Sequence, residues 1–432
     1  MAKQSRSAVG DQIGDLLKTA KAGLNLSVAF LSRLDGTTQY LEVVESSGPA
    51  SLLFKEGYET DQANTFCQAI LDGRLPPVIP DVRKHPEAMK LPASRLPRIR
   101  SYVSVPVRLS NGELYGTFCA AGLTTDKALS RRDQTLMEVL ASAAAVLLEP
   151  DVRERARCEE VERRLGPLMD AGGPVVFLQP IVDLEAGRRV GAEALSRFPA
   201  EWGMAPDVVF AQAHSIGEGD RLELLALVRA GELLAEVDGY VSMNVSPATL
   251  LSPACSEVLG ALPLHRVLLE LSEHDRVEDY DALHDVLRPL RARGMRLAID
   301  DVGAGFSSLR HIVLTAPDVI KIDRSLVDGV HHDKVLRTLV ASLGEFATGL
   351  GAAVVAEGIE DIEDANALRE CGIGYGQGWH FGRPGPAADL GPVAHAASHP
   401  PAQRSGLDLG AAGHSPTKAG RTLAVTTEEP AR

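Results

Sequence analysis

Leu297-Ala298-Ile299-Asp300-Asp301-Val302-Gly303-Ala304-Gly305-Phe306-Ser307-Ser308-Leu309 is the stretch on which the fold reading turns. A short apolar run ends in two adjacent carboxylates and then breaks into a loop holding two glycines and two serines. Apolar residues followed by glycine punctuation read as a buried strand feeding a loop. Neighbouring side chains in a strand point to opposite faces, but at the strand's end both carboxylates can reach one ion. Paired carboxylates repel each other unless a proton or a cation sits between them. Taken alone, Asp300-Asp301 reads as a solvated acidic turn. Similar strand ends along the same half of the chain change that reading.

Outward from this stretch, between Val175 and Trp379, short apolar runs alternate with amphipathic segments. The runs are Val175–Gln179, Val190–Ala194, Val241–Val245, Val267–Leu271, Arg296–Asp300, Asp318–Ile322, Ala353–Glu357 and Ile373–Gln377. Helical spacing falls at Leu222–Val237, Tyr280–Arg293, Asp333–Leu350 and Asp361–Glu370. A long strand-then-helix alternation implies a parallel sheet, and about eight such units close a barrel. At or near the strand ends stand Gln179, Glu193, Asn244, Glu270, Asp300, Lys321, Glu357 and Gln377. A barrel gathers strand ends around one mouth, so these residues predict a ring of carboxylates and amides with one lysine. Oxygen ligands select hard divalent cations, Mg²⁺ or Mn²⁺, over zinc. Asp300 is placed to bridge two ions, an arrangement suited to in-line displacement at phosphorus.

The rest of the chain bounds the reading. Its 432 residues suffice for two or three domains, and 45% apolar with 24% charged residues is ordinary for a globular protein. A formal charge of −14 argues against duplex nucleic acid and anionic lipid as partners. The polar start, Met1 to Asp15, carries no secretion signal, and the most apolar stretch, Val139–Leu148, is too short to insert in a bilayer. Five scattered cysteines suit a reducing cytoplasm.

Residues 1–148 read as one α/β unit with a helix at Asp11–Leu24, strands at Leu26–Leu34 and Tyr40–Glu45, and a hairpin, Tyr102–Leu109 with Leu114–Ala121. Ser130–Glu149 reads as a helix, and residues 149–171 as a linker helix that Pro150 opens. That linker is a candidate dimer contact, with a solvated monomeric linker as the alternative. Residues 387–432, rich in Ala, Gly, Pro, Ser and His, read as a disordered tail.

Two resemblances follow. Thr65-Phe66-Cys67, Val78-Ile79-Pro80-Asp81-Val82, Tyr102–Val107 and Asn111–Cys119 make residues 11–148 resemble a GAF domain, a fold that binds small ligands, chromophores or nothing. The resemblance implies a sensory or dimerising role and leaves the GAF ligand unknown. Cys67 and Cys119 are read as core residues, with ligand attachment or redox chemistry as the alternative.

Glu193-Ala194-Leu195 with Arg197, Asn244-Val245-Ser246-Pro247, Glu270-Leu271-Ser272-Glu273, Asp300-Asp301-Val302-Gly303, Lys321-Ile322-Asp323, Ala356-Glu357-Gly358-Ile359-Glu360 and Gln377-Gly378-Trp379 make residues 165–386 resemble the EAL-domain cyclic di-GMP phosphodiesterases. The resemblance implies a TIM-like (β/α)8 barrel over residues 172–386, with one early strand antiparallel, which the alternation alone does not predict. It implies a homodimer and two cations, with Ca²⁺ inhibitory, held by Glu193, Asn244, Glu270, Asp300, Asp301 and Glu357. It gives Lys321 the attacking water and makes Glu357 a metal ligand or the proton acceptor. Gln179, Leu195, Arg197 and Gln377 fall to substrate, Glu273 to anchoring the loop after Asp301, and Asp323 and Glu360 to support. Val302 departs from the family's usual Phe. The implied reaction opens cyclic di-GMP to linear pGpG, with a non-cleaving cyclic di-GMP receptor as the alternative.

Overall fold

The structure is a computed structural model that describes residues 7–95, 98–272, 277–303 and 309–391. The chain forms two compact units, Met1–Glu160 and Val161–Arg432. Glu273 and residues 392–432 lie outside the described residues, as does Ala304 to Ser308 of the opening stretch.

The first unit is built on six strands: β1 (Val28–Asp35), β2 (Thr38–Ser46), β3 (Glu59–Asp61), β4 (Val78–Ile79), β5 (Ser101–Arg108) and β6 (Leu114–Gly122). They pair antiparallel in the order β3-β2-β1-β6-β5-β4. Alternate residues serve two separate cores, as the pleat requires. Ala29, Leu31, Val103, Val105, Phe118 and Ala120 pack with Ile13 and Leu17 of the helix Ala8–Leu24 and with Met137 and Leu140. Val28, Phe30, Tyr102, Cys119 and Ala121 pack with Phe66 and Cys67 of the short helix Phe66–Leu71.

One helix runs from Arg131 to Asp170, so Pro150 lies inside it rather than opening a second helix. Leu147, Leu148 and Val152 pack on the core of the first unit on either side of Pro150, and that burial offsets the hydrogen bond a proline cannot donate.

The second unit is a closed barrel. Its strands are β7 (Val175–Asp183), β8 (Arg188–Arg197), β9 (Tyr240–Asn244), β10 (Val267–Ser272), β11 (Arg296–Val302), β12 (Val319–Ile322), β13 (Ala353–Ala356) and β14 (Tyr375–Gln377). β7 is antiparallel to both neighbours, β8 and β14, and every other pairing is parallel. The all-parallel alternation is therefore corrected at one strand. The run read as ending at Gln179 continues to Asp183, and Gln179 lies mid-strand. One four-residue turn, Leu184–Gly187, reverses the chain directly into β8, leaving no room for the crossover helix a parallel pair needs.

Both faces of the barrel strands are buried, which is why they read as continuous apolar runs. Val267, Leu269 and Leu271 face the surrounding helices, as do Leu297 and Ile299, Ile320 and Ile322, and Val354 and Ala356. The intervening residues face inward. Among the helices, Tyr280–Ala292 buries Leu283, Leu287 and Leu290 at helical spacing and is capped by Asp279, which accepts from Ala282 N at 3.0 Å.

Candidate active site

The inward positions fall into two layers. The lower one is apolar: Ile181, Tyr240, Leu268, Ala298, Val319 and Val355 are all essentially dry. β8 contributes Gly191, which pairs with both Ile181 and Tyr240. A Cβ there would come within 2.6 Å of the Tyr240 ring, so the tyrosine requires the glycine.

Two residues further along each parallel strand the side chains change character. Leu268 is followed by Glu270, Ala298 by Asp300, Val319 by Lys321, Val355 by Glu357 and Tyr375 by Gln377. On β7, which runs the other way, Gln179 comes two residues before Ile181 and reaches the same level, paired with Glu193.

Lys321 stands at the centre of this upper layer, 1% exposed. Its Nζ lies 2.6 Å from Glu357 Oε1, 2.9 Å from Glu270 Oε1, 3.1 Å from Asp300 Oδ1 and 3.4 Å from Glu193 Oε2. At these distances each contact is a close ion pair between one buried ammonium and a carboxylate. Burial alone would push the ammonium down, but Asp300, Glu193, Glu270 and Glu357 together hold it well above its ordinary value.

Glu270, Asp300 and Glu357 shift the same way for a different reason. Burial raises Glu270 well above the usual range despite Lys321, and Glu193, Asp300 and Glu357 add repulsion. Asp300 is raised by burial against the opposing pull of Lys321. Glu357 is pushed up to about 8, again first by burial. One ammonium shared among four buried carboxylates leaves an excess of negative charge that protons or cations must offset.

The carboxylate oxygens form two overlapping sets, each within 4.8 Å: Glu193, Glu270 and Asp300, and then Asp300, Asp301 and Glu357. Asp300 belongs to both. Asp301 reaches its set because its backbone is left-handed, with φ of +58°, where a straight strand would turn it away. Such a conformation costs about 1–3 kcal/mol, and Asp is among the side chains that tolerate it best. Asp301 N donates to Asp300 Oδ1 at 2.9 Å, which holds the turn.

Amides and a hydroxyl complete the layer. Gln377 Nε2 donates to Gln179 Oε1 at 3.0 Å and to Glu193 Oε2, and Gln179 Nε2 donates to Gly382 O at 3.1 Å. Asn244 Nδ2 lies 3.3 Å from Glu193 Oε1. Ser242, which the sequence reading passed over, donates to Glu270 Oε1. The alternation Tyr240, Ser242, Asn244 is the signal that could have found it.

Above the layer a cavity of about 320 Å³ opens between Leu195, Asp301, Arg324, Gly358, Glu360 and Trp379. Arg197 does not line it. It lines a neighbouring cavity of about 450 Å³ that shares Leu195, Asn244 and Glu270 with the site, and its Nη1 donates to Ser196 O at 2.9 Å. Asp323 is turned to capping, accepting from Ser325 N at 2.9 Å, and Glu360 pairs with Arg324 at 2.9 Å.

A further buried carboxylate, missed from sequence as Ser242 was, fixes the turn after Asn244. Glu223 Oε2 accepts from Ser246 N at 2.9 Å and Ser246 Oγ at 2.8 Å, while its Oε1 lies 2.8 Å from His214 Nε2.

The donor set is one of oxygens, and the buried Glu270 Oε2 has no hydrogen-bond partner among the described residues. An orphaned, dry carboxylate oxygen beside two clustered carboxylates is what a pair of hard divalent cations would satisfy. The residues present fit that group.

A barrel with one reversed strand and an acidic mouth defines the class, and comparison with known proteins gives it a family. The EAL domain model matches residues 162–384, and the chain belongs to the EAL domain family. The GAF domain model matches residues 10–148. The probable cyclic di-GMP phosphodiesterase PdeB of Escherichia coli K12 is 30% identical over 247 residues, 54% of this chain and 47% of that protein. The solved EAL enzyme Bd1971, in its cAMP and cyclic-di-GMP bound form, superposes with a TM-score of 0.51 over 84% of this chain and 91% of that one, a likeness of fold at 18% identity. BlrP1 of Klebsiella pneumoniae, in a calcium and cyclic di-GMP complex, is 34% identical and covers 51% of this chain and 57% of its own, with a TM-score of 0.45. This chain spans about half the length of the curated relatives it matches. Among the described residues no helix is long and apolar enough to cross a membrane.

Proposed function

We propose that the chain is a metal-dependent phosphodiesterase that hydrolyses cyclic di-GMP to linear pGpG in bacterial second-messenger signalling. The observation that carries this reading is Lys321 surrounded by four carboxylates, with Asp300 common to two oxygen clusters. Membership of the EAL family and the name of the Escherichia coli relative support the choice of substrate.

Glu193, Asn244, Glu270, Asp300, Asp301 and Glu357 hold two divalent cations, Mg²⁺ or Mn²⁺. Bound there, such cations supply the positive charge that an anionic diester needs before an oxygen nucleophile can approach it. Lys321 donates to the attacking water and holds it in line with the scissile bond. Glu357, the nearest carboxylate to Nζ at 2.6 Å, accepts the water's proton. Gln179 and Gln377 keep Glu193 oriented through their shared hydrogen bonds. Leu195 lines the substrate's path, and Arg197, reached through the adjoining cavity, meets a phosphate.

The unit over residues 1–148 acts as a GAF-type regulator of the barrel, and the protein works as a homodimer. The receptor reading requires a lost carboxylate or lysine, and each is present here. The test is turnover of cyclic di-GMP by the purified full chain. Mg²⁺ or Mn²⁺ should support it, Ca²⁺ should inhibit, and pGpG should be the product by chromatography. Undiminished hydrolysis in excess chelator would refute the metal reading.

A further inference from the structure

The first unit holds a chemistry separate from the barrel. A cavity of about 290 Å³ opens between Phe30, Leu41, Phe54, Phe66 and Tyr102, with the exposed Tyr58 and Leu53 at its lip. Its wall is mostly apolar; Thr60, Asn64 and Thr65 add polar groups, and at one edge Gln39 and Cys67 meet. Directly behind Cys67, on the central strand β6, is Cys119. The two sulfurs are 3.4 Å apart, in van der Waals contact, though the residues are 52 positions apart in the chain.

The surroundings are not those of two thiols packed as small hydrophobes. Gln39 Nε2 donates to Cys67 Sγ at 3.2 Å, and the Tyr102 hydroxyl lies 3.0 Å from it. Ser104 Oγ and Thr117 Oγ1 each lie 3.2 Å from Cys119 Sγ. All six side chains are buried. Buried hydroxyls and an amide converging on sulfur stabilise a thiolate, and the thiolate is the reactive form. Burial opposes ionisation of Cys67, but donation from Cys119, Thr117, Tyr102 and Gln39 brings its thiol down to about 6. Burial first, then Cys67 itself, holds Cys119 well above its usual value. The pair therefore has a nucleophile on the cavity side and a protonated partner behind it.

We propose that Cys67 and Cys119 form a reversible intramolecular disulfide when a hydroperoxide enters this cavity. The Cys67 thiolate attacks one peroxide oxygen. A sulfur–oxygen bond forms and the oxygen–oxygen bond breaks. The departing alkoxide or hydroxide takes up the proton that Cys67 gave up on ionising. Cys119 sulfur then attacks the sulfenic acid at Cys67, forming the sulfur–sulfur bond. Hydroxide leaves and takes the Cys119 proton as water. Two thiols lose two electrons in total, and the peroxide gains them. Each sulfur has to move well under an ångström to reach bonding distance, which side-chain rotation supplies. The bond ties the helix Phe66–Leu71 to β6 and removes the sulfur acceptor from Gln39 and Tyr102, remaking the polar edge of the cavity. A dithiol reductant reverses it. This inference does not depend on the phosphodiesterase reading.

The test is titration of the reduced full chain with hydrogen peroxide, followed by denaturing thiol counts and peptide mapping without reductant. The chain should lose two of its five thiols and two hydrogens of mass, with a linked peptide joining Cys67 to Cys119 that dithiothreitol releases. Cys119→Ser should instead leave a sulfenic acid at Cys67 that dimedone traps, and Cys67→Ser should give neither product. Because either single variant could disturb the core, a third, Cys158→Ser/Cys255→Ser/Cys371→Ser, keeps the pair and should form the same link. The proposal is overturned if Cys67 and Cys119 both stay free at a peroxide dose that oxidises the other cysteines. It is equally overturned if the links found join other pairs or separate chains.

Discussion

Leu268 and Glu270 stand two residues apart on the same face of β10, and Ala298 and Asp300 do so on β11, Val319 and Lys321 on β12, and Val355 with Glu357 at the end of β13. Leu268 and Glu270 are equally buried, at 0% exposure each. The lower residue of each pair gains from leaving water, while a charged residue in the upper layer loses its hydration and must recover it from partners. The strand geometry treats the two layers alike, so the difference is chemical. The floor holds the barrel shut and dry, and its dryness strengthens every charge interaction in the layer above it.

The largest expected effect comes from breaking the upper layer in two ways. Asp300→Asn should lower turnover on the order of 10³-fold and weaken cation binding with it. Lys321→Met should lower turnover by about 10²-fold or more while cations still bind, because the ammonium positions water and competes with cations for the same carboxylates. Parallel Mn²⁺ calorimetry and kinetics separate the two variants. A Lys321→Met enzyme within a few-fold of the parent would remove the lysine from the mechanism.

Breaking the floor should act on stability. Leu268→Ala should cost about 2–5 kcal/mol in urea denaturation, leaving the turnover of the folded fraction near that of the parent. If activity fell in folded protein as steeply as for Asp300→Asn, the layers would not be separable.

A smaller effect sharpens the charge account. Glu357 is pushed up to about 8 in the cation-free layer, so below that pH it carries a proton that an entering cation must displace. Apparent Mn²⁺ affinity should therefore weaken by about tenfold or more per unit as pH falls below 8, with the Glu357 proton released on binding and Glu270, also raised by burial, adding to the release. Calorimetry in buffers of different ionisation enthalpy counts the protons released. An affinity flat from pH 6 to 8 would contradict it.

The smallest expected effect lies one shell out. Glu223→Gln keeps the size of the side chain but weakens the grip on Ser246 and so on the neighbouring Asn244. Turnover should fall by about tenfold, with the loss partly recovered at high Mn²⁺. A loss that no Mn²⁺ concentration alters would assign Glu223 to folding alone.

Much of the site was legible because strands impose a simple parity. Reading polar residues at the ends of apolar runs located Glu193, Glu270, Asp300, Lys321, Glu357 and Gln377, which the fold does bring together. Gln179 reaches the same layer from the middle of the reversed β7, not from a strand end as the apolar run suggests. Ser242 obeyed the same parity and was passed over because a serine inside an apolar run resembles core filling. Glu223 gave no such signal: on the helix Gly219–Leu233 it looks like any surface carboxylate until that helix packs beside Ser246. Arg197 carries the family motif, yet its guanidinium turns to the adjoining cavity.

The sequence by itself determined the alternation of strands and helices, the family to which the barrel belongs, and the residue types that line its mouth, because these depend on spacing along one strand or helix. The tertiary structure decided the rest. It set the direction of β7, the left-handed turn that brings Asp301 beside Asp300, the four carboxylates around one ammonium, and the contact of Cys67 with Cys119. Each of these depends on barrel closure or sheet pairing between residues far apart in the chain, and no local pattern of residues encodes that distance.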